Sequence, residues 1–124
     1  MNFVKINDKN FKYYLMDETN DKPVAIIFYS SLSPLEDNIG KIKEQIEELL
    51  PKKVILCECD YEASDCKELR NYIHVPAIPA VLITRRGKVY GNLAGPVSKL
   101  KYEVMVKDAL FKMVEDKKKE KNDK

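Results

Sequence analysis

The chain has 124 residues, and its 22 Lys and Arg against 20 Asp and Glu give a formal net charge of +2 at pH 7. This length favours one domain that buries roughly two-thirds of its unfolded surface. Because the charges nearly balance, the overall field favours neither nucleic acid nor an anionic membrane as a partner. No apolar run reaches membrane-spanning length, no signal-peptide core is visible and the three cysteines lack CxxC spacing, which favours the cytoplasm.

The first part of the chain predicts a strand, a helix and a second strand. Phe3–Ile6 is a short β-like run. Asp8 is a typical N-cap for a helix that places three residues on one face, Phe11, Tyr14 and Leu15. Pro23 then opens the uncharged run Val24–Tyr29. Because this run is apolar throughout, it predicts a central strand buried on both faces.

A strong helix start follows this strand. Ser33 is the expected N-cap, Pro34 takes the first helical position, and Glu36 completes a Ser-x-x-Glu capping box. Apolar residues then recur every three or four positions and predict one buried helix face, made by Leu35, Ile39, Ile42, Ile46 and Leu49. The helix is expected to end at Leu50, because the following proline disfavours helical geometry in the residue before it.

The second half of the chain predicts a strand, a short helix and a hairpin. Val54–Cys59 is the strand, and a helix over Asp65–Tyr72 is expected to turn three residues inward, Cys66, Leu69 and Ile73. Ala80–Thr84 and Val89–Leu93 are the two hairpin strands. Gly87 lies in the turn between them, where it is free to take positive φ.

The C-terminal part predicts a tight loop, a helix and a charged tail. Ala94–Pro96 is the loop, and Ser98 is the expected cap of a final helix that ends near Val114. Residues 115–124 are almost wholly charged, which is typical of a disordered, solubilising segment. The expected organisation is one domain over residues 1–114 and a disordered tail over residues 115–124.

The element order β-α-β-α-β-α-β-β-α resembles that of the thioredoxin superfamily. Ile78-Pro79-Ala80 stands where the family has its cis-proline motif, and Gly87 and Gly95 match its hairpin glycine and the glycine before its last helix. The resemblance covers most of the chain. It implies an α/β thioredoxin-like fold, with a mixed central sheet of about five strands flanked by about four helices.

The chain departs from the family's catalytic pattern. The first active-site cysteine falls on Ser33, the second on Glu36, and the buried acid that assists proton transfer falls on Ile27. Thiol–disulfide exchange needs a thiolate as the attacking group, and a serine hydroxyl cannot form a disulfide. The sequence therefore predicts a protein that is not an enzyme and that needs no cofactor.

What remains of the family's site is a groove beside the cis-proline, which accepts an extended peptide by main-chain pairing. Mapped onto this chain, the groove is lined by Tyr29, Leu32, Ser33, Pro34, Pro76, Ala77, Ile78, Pro79, Gly95 and Pro96. The resemblance implies a protein-interaction or chaperone-assisting module with a protein or peptide partner. The loop after Tyr29 also resembles that of phosducin-like proteins, and non-catalytic domains of disulfide isomerase-like proteins are a second comparison. A purely structural role for these residues is the alternative.

The competing function is an enzyme, a monothiol oxidoreductase that uses Cys66 or another free cysteine. Cys66 opens a short helix and is expected to be partly exposed, whereas Cys57 and Cys59 are expected to be small core residues. His74, the only histidine, is expected on a loop. No cluster of His, Cys and carboxylate residues has metal-ligand spacing, so no metal is predicted.

Overall fold

The computed structural model describes residues 3–32, 39–95 and 97–122. Within these ranges the chain forms five strands, four α-helices and one short 3₁₀ turn. The strands are β1 (Val4–Lys5), β2 (Val24–Tyr29), β3 (Ile55–Asp60), β4 (Ala80–Arg85) and β5 (Lys88–Ala94). The helices are α1 (Phe11–Leu15), α2 (Ile39–Leu49), α3 (Lys67–Tyr72) and α4 (Lys99–Asn122), and the 3₁₀ turn is Ser64–Cys66.

The strands form one mixed sheet in the order β1-β3-β2-β4-β5. The pairs β1–β3 and β2–β3 are parallel, whereas β2–β4 and β4–β5 are antiparallel. The strand β2 lies in the middle, and Val24–Phe28 is buried on both faces as predicted. The predicted fold class, α/β with a mixed five-stranded sheet between helices, is confirmed.

Two hydrophobic cores lie on opposite faces of the sheet. Ala25 and Ile27 face one core with side chains of α2 and α4, and Ile26 and Phe28 face the other with side chains of α1 and α3. The alternation follows from the two-residue period of a strand. Ile27, the position at which the resemblance would place a buried acid, is thus fully enclosed by apolar side chains.

The role of Asp8 differs from the prediction. Asn10, not Asp8, precedes α1, and it makes no side-chain cap to that helix. The Asp8 carboxylate instead accepts hydrogen bonds from the backbone N–H groups of Glu68 (3.2 Å) and Leu69 (2.8 Å) at the start of α3. These two amides have no partner within their own helix. Asp8 therefore caps a helix 60 residues further along the chain, a contact that sequence spacing cannot reveal.

The last helix is longer than predicted. It begins after Ser98, whose hydroxyl accepts a hydrogen bond from the backbone N–H of Lys101 (3.4 Å) as expected of a cap, and it runs to Asn122. The expected disordered tail from residue 115 is therefore wrong for the described residues 115–122. In the part of the chain that the structure describes, no helix is both long and apolar enough to cross a bilayer.

Acidic residues in the last turns of α4 explain this extension, since they bind the β4–β5 hairpin. Arg85 is 2% exposed and donates to both carboxylate oxygens of Glu120, at 2.9 Å each, and to Asp21. Asp116 accepts hydrogen bonds from Lys88 (2.8 Å) and from the hydroxyl of Tyr90 (2.6 Å). Charges that appear solvated in the sequence thus have specific partners.

Candidate functional site

The first wall of the predicted groove is the loop that follows β2. The carbonyl of Tyr29 accepts a hydrogen bond from the backbone N–H of Tyr61 (2.8 Å), so the loop leaves the sheet beside β3. The backbone N–H of Ser31 donates to Asp60 (3.2 Å), and that of Leu32 donates to the Ser30 hydroxyl (3.2 Å). These contacts leave the Leu32 side chain 81% exposed at the rim.

Part of the predicted groove lies outside the described residues. This applies to Ser33, Pro34 and Pro96, and also to Glu36 of the predicted capping box. The described members are Tyr29, Leu32, Pro76, Ala77, Ile78, Pro79 and Gly95.

The second wall is the segment 76–79, which leads into β4. Pro76 and Ala77 are exposed, Ile78 is half-buried and Pro79 is buried. The peptide bond between Ile78 and Pro79 is cis, as the sequence predicts. The backbone N–H of Gly95 donates to the carbonyl of Pro79 (2.7 Å), which brings the loop after β5 against this segment. This hydrogen bond places Gly95 beside Pro79, and the lining of a peptide groove by these residues stays a prediction.

The backbone of Ala77 and Ile78 is the chemically distinctive part of this wall. Among residues 3–32, 39–95 and 97–122, neither residue's N–H or carbonyl takes part in a hydrogen bond. Backbone polar groups of folded proteins are nearly always paired with protein or water. This short stretch therefore presents donors and acceptors to whatever lies against it.

Tyr61, which sequence reasoning missed, holds the approach to this wall. Its hydroxyl donates to the carbonyl of Ile73 (2.6 Å) and accepts from the backbone N–H of Val75 (3.3 Å). Its ring lies edge-on to Phe28, with the ring centroids 5.6 Å apart. Arg70 in turn donates to the carbonyl of Tyr61 (2.6 Å). No sequence motif marks these hydrogen bonds, because each joins residues that are 9 to 14 positions apart in the chain. They connect the residue after β3 with helix α3 and with the loop that follows it.

Two cavities flank the same segment. One, of about 480 Å³, lies between Tyr61, Arg70 and residues 75–78. The other, of about 400 Å³, lies on the side of β4 and β5 and is lined by Phe28, Leu82 and residues 73–76. Since Val75 and Pro76 line both, they lie between the two cavities. His74 lies on this loop, exposed as predicted.

The three cysteines lie in the core and not in the groove. Cys57, Cys59 and Cys66 are all buried, so the expected partial exposure of Cys66 is wrong. Burial raises the pKa of Cys66 to about 11 and that of Cys57 to about 12, and it also raises the pKa of Cys59. A thiol with so high a pKa carries little of the reactive thiolate at neutral pH.

The described residues also lack a metal centre. No group of three or more His, Cys, Asp or Glu side chains in the described ranges is arranged to hold a metal ion. The groups that the described residues present at this site are backbone amides, apolar side chains, the Arg70 guanidinium and the Glu62 carboxylate.

Comparison with known proteins gives structural neighbours. No protein-family model matches the sequence, and no curated protein matches it. The thioredoxin of Malassezia sympodialis is 18% identical with a TM-score of 0.68, and the similarity covers 87% of this chain and 91% of that one. Spinach chloroplast thioredoxin f, short form, is 20% identical with a TM-score of 0.68, covering 86% and 92%. A designed protein is 19% identical with a TM-score of 0.67, covering 86% and 91%.

These neighbours correct one prediction. The expectation that the chain is not an enzyme is contradicted, because the solved structures that it resembles include thioredoxins, which are oxidoreductases. At 18–20% identity the likeness establishes the fold. The strand order and these neighbours together show that the chain has the thioredoxin fold.

Proposed function

We propose that the chain is a protein-interaction module that binds an extended peptide segment of a partner protein along residues 76–79. The observation that carries the proposal is the backbone of Ala77 and Ile78, which makes no hydrogen bond within the described ranges. An extended peptide alternates donors and acceptors along its length, so it can pair with such a segment as one strand pairs with another.

The surroundings favour apolar side chains in the bound peptide. Leu32 extends from the rim, and the two cavities on either side of Pro76 have volumes typical of ligand sites. Successive side chains of an extended peptide point in opposite directions. We expect neighbouring peptide residues to enter the two cavities alternately.

Two charged side chains line the cavity beside Tyr61, Arg70 and Glu62. Arg70 donates to the carbonyls of Tyr61 and Ala63 (2.6 and 2.9 Å), so its donors support the wall itself. Because the Arg70 donors are engaged, we expect affinity to depend little on acidic groups of the peptide. Ser33, Pro34 and Pro96, which the sequence also assigns to the groove, lie outside the described residues. A chaperone-assisting role fits such recognition, because unfolded clients expose extended apolar segments.

A library of extended peptides displayed on phage and selected on the full chain tests the proposal. The selected peptide is then titrated into labelled protein and followed by amide chemical shifts. We expect the largest shifts at Ala77, Ile78 and Gly95. Leu32→Ser should weaken binding about tenfold, because it removes an apolar contact made on binding.

Leu100→Ser is the matched control. Leu100 is 66% exposed on α4, and the same substitution there should leave the affinity within about twofold of the original. Failure to select any peptide would contradict the proposal. So would shifts confined to α4, or equal weakening by the two substitutions.

A further inference from the structure

A second cleft lies at the end of the sheet opposite the groove. The parallel strands β2 and β3 start there, next to the loop that leaves α2 and to the last turns of α4. The cleft has a volume of about 510 Å³. Pro23 and Val54 are buried at its base and Ile55 is half-buried, so its base is apolar.

Its rim is strongly cationic. The lining includes one acid, Asp21, and four lysines, Lys22, Lys52, Lys53 and Lys117. Among the described residues none of these lysines is in an ion pair, and Asp21 is already bound to Arg85. The cations of the nearby β4–β5 hairpin differ from these lysines in that each is in an ion pair. Arg85, Arg86 and Lys88 all pair with a carboxylate. The hairpin cations are thus neutralised, whereas the four lysines of the cleft share one carboxylate, Asp21, that already pairs with Arg85.

Lys53 and Lys117 both line this cleft. Lys117 is half-buried, and burial, followed by the nearby positive charges of Lys53 and Arg85, lowers its pKa despite the opposing effect of Asp21. Two ammonium groups at close range repel each other, and partial burial strengthens that repulsion. An anion between them would convert it into attraction and would supply acceptors for both.

We propose that this cleft binds a small organic diphosphate, of the nucleoside diphosphate class. Lys53 and Lys117 hold the phosphate groups, Lys22 and Lys52 supply the surrounding positive charge, and the apolar base of Pro23 and Val54 contacts the organic moiety. A diphosphate matches four lysines better than a single carboxylate does, because it carries several charged acceptors. The volume is within the range of small-molecule sites.

Calorimetric titration of the full chain with ADP and with inorganic pyrophosphate tests this. We expect ADP to bind more tightly than pyrophosphate, because only ADP contacts the apolar base. We expect amide shifts on ADP binding at residues 22–23, 53–55 and 117. The double substitution Lys53→Gln with Lys117→Gln should weaken ADP binding about tenfold or more, through loss of two charge-assisted contacts.

The matched control is Lys101→Gln with Lys107→Gln, which removes the same charge from exposed positions of α4. It should leave the affinity for ADP within about twofold of the original. Circular dichroism of both double variants checks that they fold. Three results would each overturn the proposal: no ADP binding at millimolar concentration, equal affinity for ADP and pyrophosphate, or equal weakening by the two double substitutions.

Discussion

At one end of the sheet, where β2 and β3 finish, Leu32, Ala77 and Ile78 present apolar side chains and backbone groups to the surroundings. At the other end, where the same strands begin, charged side chains dominate. There Arg85 is buried and paired, whereas the lysines of the cleft are not paired among the described residues. The difference teaches that the two ends of one small sheet present different chemistry, backbone and apolar groups at one end and charged side chains at the other.

The largest effect should come from breaking the paired end. Arg85→Ala removes a guanidinium that is 2% exposed and that holds the last turns of α4 to the hairpin. We expect the free energy of unfolding to fall by about 2–4 kcal/mol, measured by urea denaturation, because a buried group loses both its packing and its partners.

The neighbouring arginine is the control for this change. Arg86 also contacts Glu120, at 2.6 Å, but its side chain is 44% exposed. Arg86→Ala should cost less than about 1 kcal/mol, as exposed ion pairs generally do. Equal losses in the two variants would show that burial of Arg85 does not matter, and the contrast between paired and solvated cations would be lost.

A smaller effect should come from the groove end. Asp8→Ala removes the carboxylate that caps α3 and leaves the amides of Glu68 and Leu69 without that partner. We expect a loss of about 1 kcal/mol in the free energy of unfolding. Amide hydrogen exchange should also become faster in α3 and in residues 73–75. Those residues are linked to α3 by hydrogen bonds, since Arg70 of α3 donates to the carbonyl of Tyr61 and the Tyr61 hydroxyl donates to the carbonyl of Ile73.

Asp8→Asn is the matched comparison, because an asparagine oxygen can still accept one of these hydrogen bonds. It should lose less stability than Asp8→Ala. Exchange that quickens in α4 and not in α3 would contradict the assigned role of Asp8.

The smallest effect concerns pH. Hydrogen bonds from Lys88 and Tyr90 lower the pKa of Asp116, and the Arg85 guanidinium lowers that of Glu120. Because both pKa values lie below those of the unfolded chain, these carboxylates stabilise the protein above the ordinary pKa of about 4. That contribution is lost as the pH falls through the lower, folded values.

Acid titrations of unfolding should show this dependence. The original chain should lose stability as the pH falls below about 4, and Arg85→Ala should lose less over the same interval, since its Glu120 pKa is nearer to the ordinary value. Parallel stability curves for the two proteins would show that the hairpin contact does not set the pKa of Glu120.

Local patterns sufficed for much of the fold. The uncharged run Val24–Tyr29 predicts a buried central strand, and Gly87, with φ +74°, lies in the predicted hairpin turn. The cis bond before Pro79 and the capping role of Ser98 also match the predictions. Each of these features depends on residues close together in the chain, so composition and spacing carry the information.

Long-range contacts could not be predicted in the same way. The position of Asp8 in the sequence predicts an N-cap for α1, yet its carboxylate caps α3, because the fold brings together residues that are 60 positions apart. Residues 115–122 have the composition of a disordered tail, yet Asp116 and Glu120 find partners on the hairpin. Cys66, at the start of a predicted helix, is enclosed by the core beneath α3.

The sequence by itself therefore determined the order of elements, the central strand and the hairpin turn, since these follow from short-range pattern and turn chemistry. Only the tertiary structure decided which polar groups meet. It placed Tyr61 under the approach to Pro79, paired Arg85 with Glu120, and gathered Lys22, Lys53 and Lys117 around one cleft. The physical reason is that charge and hydrogen bonding act through space, between side chains that the sequence keeps far apart.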